Sequence, residues 1–221
     1  MNIIFWSDYA CPYCYIGETN LKKAIRELKS EYSFEVQMKA FELDDRASRE
    51  YTGTTVDRFA EKHNLSPEEA REQVDSISAL GREAGLDFNY ADTRYTNTFD
   101  ALRLTKFAQK KSAELADRLS ERFFHAYFCE CLELADHDVL LRIAVEEGLP
   151  EDEVKQVLAT DACGPEVRWD ETMAQRNGIN TVPFYILDRK YAIPGALSVE
   201  NFKQILLGAL NPEEDPEDAG E

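Results

Sequence analysis

The chain has 221 residues, 25 basic against 43 acidic side chains, a formal charge of -18 and a hydrophobic fraction of 43%. That length and apolar content support one large domain or two small ones and exclude global disorder. A charge of this size repels phosphate backbones and anionic lipid, which excludes nucleic acid and membrane surfaces as expected partners.

Asn2 to Trp6 is a run of β-favouring residues and predicts a buried strand, broken by Ser7-Asp8-Tyr9-Ala10. The N-terminus has no basic stretch, apolar core or small-residue cleavage site, and no window approaches about 18 consecutive apolar residues. The expectation is a cytoplasmic protein. Five cysteines, an odd number, in a reducing compartment argue against a structural disulfide framework and for a catalytic or metal-binding pair. From Cys14, Ile16, Leu21, Ala24, Ile25 and Leu28 recur at helical spacing, predicting an amphipathic helix that ends near Ser30. Phe34 to Phe41 alternates apolar and polar, the period of a half-buried strand. Strand, helix and strand of these lengths suit a parallel βαβ unit.

From about Asp44 to Gly164 the patterns are helical and no convincing strand occurs. Helices are predicted over Val56–Asn64, from the Ser66-Pro67 cap to Gly85, and over Phe99–Lys110 and Ala113–Phe128. Two more follow over Asp136–Gly148, capped by Asp136 or Asp138, and Pro150–Thr160. Val167–Asn177 reads as a further helix with Gly178 just past its end. Thr181–Leu187 and Tyr191–Ile193 read as strands joined by the hairpin turn Asp188-Arg189-Lys190. Ser198 opens a last amphipathic helix. The tail from residue 211 is acidic, without a basic residue, and is expected to be disordered.

Cys11-Pro12-Tyr13-Cys14 falls where the first strand hands over to the first helix. A cysteine at a helix N-terminus faces unpaired backbone N–H groups and the positive end of the dipole, which favour the thiolate. Cys11 is therefore the expected nucleophile, on a solvent-facing turn, and Cys14, one turn deeper, resolves its mixed disulfides. Pro12 is tolerated because its missing N–H would be unpaired there in any case. Zinc is the rival reading, but it wants four ligands, and Cys129 and Cys131 lack the usual spacing for a second pair. His63, His125 and His137 form no ligand set, so no metal is expected.

The segment Trp6 to Gly17 resembles the active-site stretch of DsbA-family proteins of the FrnE-like branch. The likeness continues through Phe41-Glu42-Leu43, Asn97 to Leu104, Phe123 to Phe128, Val139-Leu140, Gly178 to Tyr185 and Tyr191 to Ala196. The resemblance implies an α/β, thioredoxin-like fold with a large all-helical insertion. Residues 1–43 and 165–210 would form the thioredoxin-like part, 44–164 the insertion and 211–221 the tail. It also implies a cis Val182–Pro183 bond beside the CxxC, with the Val182 backbone left free to pair with a bound peptide or thiol ligand. Pro12, Tyr13, Val182 and Pro183 would shape the site, and Trp6, Ser7, Asn97 and Phe184 are candidates for a substrate pocket. Relatives commonly carry His where this chain has Leu102, a change expected to alter pocket polarity. Asn97 and Arg103 are pocket candidates, or else a helix cap and a residue on a solvated helix face, the preferred reading.

The remaining cysteines are read as thiols at the end of a helix, Cys129 and Cys131 pointing to different faces, with a second redox pair as the alternative and Cys163 a conceivable partner for either. The function expected is thiol–disulfide exchange with protein or small-molecule thiols, by a monomer or homodimer. No tightly bound cofactor is needed, and glutathione is a candidate co-substrate. One alternative is a glutathione-dependent isomerase or transferase of the 2-hydroxychromene-2-carboxylate isomerase or kappa-class type, which typically has Ser in place of the first Cys. Another is a binding protein or chaperone with incidental thiols. Pro12-Tyr13 supplies no cation between the cysteines, so a couple less oxidising than periplasmic DsbA is expected.

Overall fold

The computed structural model describes residues 1–211; apart from Asn211, the acidic tail lies outside the described residues. β1 (Asn2–Ser7), α1 (Pro12–Leu28) and β2 (Glu35–Ala40) form the expected parallel βαβ unit. β3 (Phe184–Leu187) lies antiparallel to β1 on its other side, and β4 (Tyr191–Pro194) pairs antiparallel with β3. The sheet order is β2-β1-β3-β4, so β1 is central and its C-terminal end delivers the chain into α1. Between β2 and α8 (Gly164–Arg176) come α2 (Thr55–His63), α3 (Pro67–Glu83), a short 3-10 turn at Tyr90–Asp92, α4 (Phe99–Gln109), α5 (Ala113–Phe128), α6 (His137–Glu146) and α7 (Glu151–Ala159). α9 (Val199–Leu210) closes a thioredoxin-like fold carrying a helical insertion.

Local capping explains most helix starts. Thr54 with Asp57 and Ser66 with Glu69 each form a reciprocal capping box. Asp136 accepts from the Asp138 and Val139 amides, and Ser198 from that of Asn201; such caps stabilise a helix by about 1 kcal/mol each. Two elements depart from expectation. α8 starts three residues before Val167, because Pro165 sits in its first turn, where proline is tolerated, rather than ending a loop. β3 begins only at Phe184, since Pro183 has no N–H to give the ladder. Helix α5 stops at Phe128, as expected, so Cys129 is its C-cap and Cys131 lies beyond it at φ 55. The two thiols therefore do not share a continuous helix, and Cys131 donates instead toward Asn89 O at 3.7 Å.

An aromatic layer joins α1 to the insertion. Tyr15 stacks on Phe124 at 5.0 Å between centroids, and Tyr9 meets Phe124 and Phe123 edge-on at 4.9 and 5.4 Å. Such pairs stabilise by about 0.5–1.5 kcal/mol beyond their area burial, which fixes the helix bearing the cysteines against α5. Leu102 is a fully buried member of this core rather than a determinant of pocket polarity.

Candidate active site

Asp8 organises the turn between β1 and α1. Its Oδ1 accepts from the Ala10 amide at 3.1 Å and the Thr98 hydroxyl at 2.7 Å, and its Oδ2 accepts from the Leu43 amide at 2.7 Å. Its own carbonyl accepts from the Cys11 amide at 3.0 Å. One buried carboxylate thus ties the cysteine turn to the chain leaving β2 and to the start of α4. Burial pushes its pKa up, against hydrogen bonds from Leu43, Thr98 and Ala10. An Asp8→Asn variant turns one acceptor oxygen into a donor and leaves a buried amide or hydroxyl unmatched. We expect it to lose about 1–3 kcal/mol in urea unfolding at neutral pH. Because the folded-state pKa is raised, the stability linked to protonation is complete below the ordinary value of 3.8 and declines as pH rises through the folded value. The gap between wild type and variant should therefore narrow from acid to neutral pH.

Cys11 is the N-cap of α1, at φ -89 and ψ 112, and its sulfur accepts the Cys14 amide at 3.3 Å. The same amide also donates to the Cys11 carbonyl at 3.1 Å, and the bond to sulfur directs a backbone dipole at it. The Cys11 thiol also donates to Val182 O at 3.5 Å, across 171 residues of sequence. The Val182–Pro183 peptide bond is cis, and Pro183 is buried. Cys14, one turn further into α1, is 1% exposed. Burial first, and the neighbouring Cys11 sulfur second, push its thiol well above the usual range, so Cys14 holds its proton.

The structure corrects the expectation of a solvent-facing turn, for Cys11 is itself only 3% exposed. Tyr13 carries the exposure of the motif, at 42%, and Tyr90 comes from the 3-10 turn of the insertion. Burial raises the Tyr90 pKa most, and the charge of Cys11 next. Tyr90 was not legible as a site residue because nothing local to it marks a site. The pocket candidates separate. Trp6 and the partly buried Phe184 pack under α8 in a cluster with Ala174 and Ile179, and the Trp6 indole donates to Asp170 O at 2.9 Å. Ser7 is fully buried beside Cys14. Asn97 precedes Thr98, the N-cap of α4; it accepts from the Phe99 amide at 3.0 Å and donates toward Glu42 at 3.3 Å.

Arg103 is not on a solvated face. It is 3% exposed, pairs with Asp100 at 2.6 Å and donates to Ala162 O at 2.9 Å and to the carbonyls of Val157 and Thr160. Among the described residues, no group of three or more His, Cys, Asp or Glu side chains could hold a metal. Nor is any helix long and apolar enough to cross a membrane.

The DSBA-like thioredoxin domain matches this chain over residues 2–207. A probable DsbA oxidoreductase, SCO1869, from Streptomyces coelicolor is 32% identical, with a TM-score of 0.89 over 97% of this chain and 92% of its own. The uncharacterized protein YwbO of Bacillus subtilis is 24% identical over 207 residues, 93% of this chain and 96% of that one. The cytosolic disulfide reductase DsbM from Pseudomonas aeruginosa, solved with GSH, has the same fold at 14% identity, with a TM-score of 0.64 over 96% of this chain and 100% of its own.

Proposed function

Because the chain belongs to the DSBA-like thioredoxin domain family, we propose that it is a thiol–disulfide oxidoreductase in which Cys11 attacks and Cys14 resolves. The observation that carries this reading is the asymmetry of the two sulfurs. Cys11 receives a backbone N–H at the mouth of α1 and lies against Val182 O, whereas Cys14 is buried behind it and keeps its proton. Negative charge on Cys11 is supported by the helix, and a sulfur one turn away is ready to close the disulfide. Substrate reaches Cys11 over the exposed Tyr13 ring, with the Val182 carbonyl available to pair with a peptide or thiol ligand. Protein thiols and glutathione are the partners this geometry accommodates, in the cytoplasm. A glutathione-dependent isomerase would have no use for a resolving thiol, so the presence of Cys14 favours exchange.

The test is equilibration of the reduced protein with glutathione and glutathione disulfide, with thiol alkylation and mass spectrometry of the products. The expected result is a Cys11–Cys14 disulfide whose potential lies below the about −120 mV of DsbA, because neither Pro12 nor Tyr13 brings a cation to the thiolate. A protein that forms no such disulfide at any ratio is not an oxidoreductase of this kind.

A further inference from the structure

In a chain of formal charge -18, three lysines gather at one place. Where the edge strand β2 meets α4 and α8, a cavity of about 430 Å³ is lined by Lys39, Lys106 and Lys110. The period of each element brings them there. Gln37 and Lys39 alternate with the buried Met38 and so share one face of β2. Lys106 and Lys110 stand four apart at the C-terminal end of α4 and fall on one side of that helix. The first turns of α8 supply the facing wall through Glu166, Trp169 and Asp170.

The charges in this cavity do not balance. Asp170 and Lys106 are its buried pair, at 3% and 7% exposed. Asp170 Oδ2 accepts from the Ala40 amide at 2.9 Å and also pairs with Lys106 Nζ. Its Oδ1 lies 3.5 Å from Lys39 Nζ, longer than a good hydrogen bond. One carboxylate thus answers two ammonium groups and an amide, and one positive charge is left over. Burial pushes the Lys106 pKa down; Asp170 pulls the other way, and the charge of Lys39 adds to the fall. Lys110 pairs with Glu166 at the surface, where water weakens the attraction. Like charges four apart on a helix repel, so helix stability alone gives no reason for Lys106 and Lys110.

Trp169 is an independent feature of the same cavity. It is 56% exposed, more than any other large apolar side chain among the described residues. It borders the cavity, and the Arg176 guanidinium lies 5.6 Å from its ring centroid. An exposed indole beside a cluster of cations offers a flat apolar surface on which a ring can stack. The volume is within the range of small-molecule sites.

We propose that this cavity binds a small organic anion carrying a planar ring, with the anionic group between Lys39 and Lys106 and the ring against Trp169. Such a ligand answers the unbalanced charge and covers the indole together. Phosphate and carboxylate share the chemistry, because an ammonium acts on either as a point charge. The acidic surface elsewhere does not forbid it, since charges beyond about 8 Å are largely screened at physiological ionic strength. A nucleic acid strand would extend past that distance onto the acidic surface, whereas a single small anion does not. Cys11 and Cys14 do not line the cavity, so the site is separate from the thiols.

Calorimetric titration of the full chain with AMP, benzoate, inorganic phosphate and adenosine, in about 150 mM salt, tests the site. AMP or benzoate should bind once per chain, roughly tenfold or more tighter than phosphate, which lacks the ring, and adenosine, which lacks the charge. Tight binding of AMP alone assigns a phosphate ligand, and of benzoate alone a carboxylate. Lys39→Gln should weaken the tighter ligand roughly tenfold, and Trp169→Ala about fivefold or more. Both side chains are partly exposed, so both variants should fold. Lys111→Gln removes the same charge from a lysine that pairs with Glu153 outside the cavity, and should change affinity less than about twofold. The proposal is overturned if neither ring-bearing anion binds more tightly than phosphate, or if Lys39→Gln weakens binding no more than Lys111→Gln.

Discussion

A Cys14→Ser variant should accumulate a stable mixed disulfide at Cys11 with glutathione or a client protein, while Cys11→Ser should form none. Turnover in a thiol-exchange assay is expected to fall roughly 10³-fold or more in both. The two losses differ in kind. Cys14→Ser leaves the backbone N–H of residue 14 in place, so the 3.3 Å bond that supports charge on Cys11 survives and the first attack proceeds. The chemistry then stops, because a hydroxyl in the pocket of a 1% exposed side chain cannot displace the substrate sulfur. Cys11→Ser removes the sulfur that meets the substrate and leaves only Cys14, whose proton is held by burial and whose position is one turn behind. Intact mass after incubation with glutathione disulfide, before and after a reductant, distinguishes the two outcomes. Equal adduct formation by both variants would contradict the assignment of attacking and resolving sulfurs.

Arg103→Ala should cost about 3–5 kcal/mol of stability, the largest loss expected outside the thiols. Arg103 is a buried cation whose guanidinium serves Asp100 together with the carbonyls of Val157, Thr160 and Ala162. Removing it strips the C-terminal end of α7 of its donors and leaves Asp100 buried with only Arg49 at 2.7 Å and His137 at 2.8 Å. Arg103→Lys should recover little, because an ammonium cannot match the planar fork that reaches several acceptors at once. Urea unfolding of wild type and both variants checks this; an Arg103→Ala variant within 1 kcal/mol of wild type, on the order of an exposed pair, would contradict it. The pH dependence has a definite sign. Burial tends to raise the Asp100 pKa, but hydrogen bonds from His137, Arg103 and Arg49 outweigh it and hold the carboxyl below its usual 3.8. The stability Asp100 contributes is therefore present above the unfolded value and lost as pH falls through the folded one. The cost of Arg103→Ala should shrink correspondingly in acid.

Several of these conclusions turn on residues that look ordinary in the sequence. Arg103 lies in an amphipathic run beside lysines and reads as solvated. Apart from Asp100, the acceptors that hold it belong to a segment more than fifty residues further on. Trp6 adjoins the cysteine motif and reads as a pocket residue, yet its indole is committed to Asp170 of α8, 164 residues away. Tyr185 carries no local mark, and it stands out only because the fold brings its hydroxyl against Gly17. The same holds for the exposure of Cys11. A cysteine at a helix mouth is open to solvent on an isolated helix, whereas here Cys11 is buried and lies against the Val182 carbonyl.

The elements themselves were legible because they depend on neighbours within a turn. The capping boxes at Thr54 and Ser66, the alternation in β2 and the strand-to-helix step at Cys11 are set by residues three or four apart. The order of elements then restricted the topology, since a βαβ crossover and a hairpin each pair in one way. What the tertiary structure alone decided is which distant groups meet: Val182 O at the Cys11 sulfur, Tyr185 over Gly17, Arg103 against the end of α7. Those encounters follow from how the helices and the β3–β4 hairpin pack around β1, and a linear pattern of polar and apolar residues does not encode which side chain arrives opposite another across that packing.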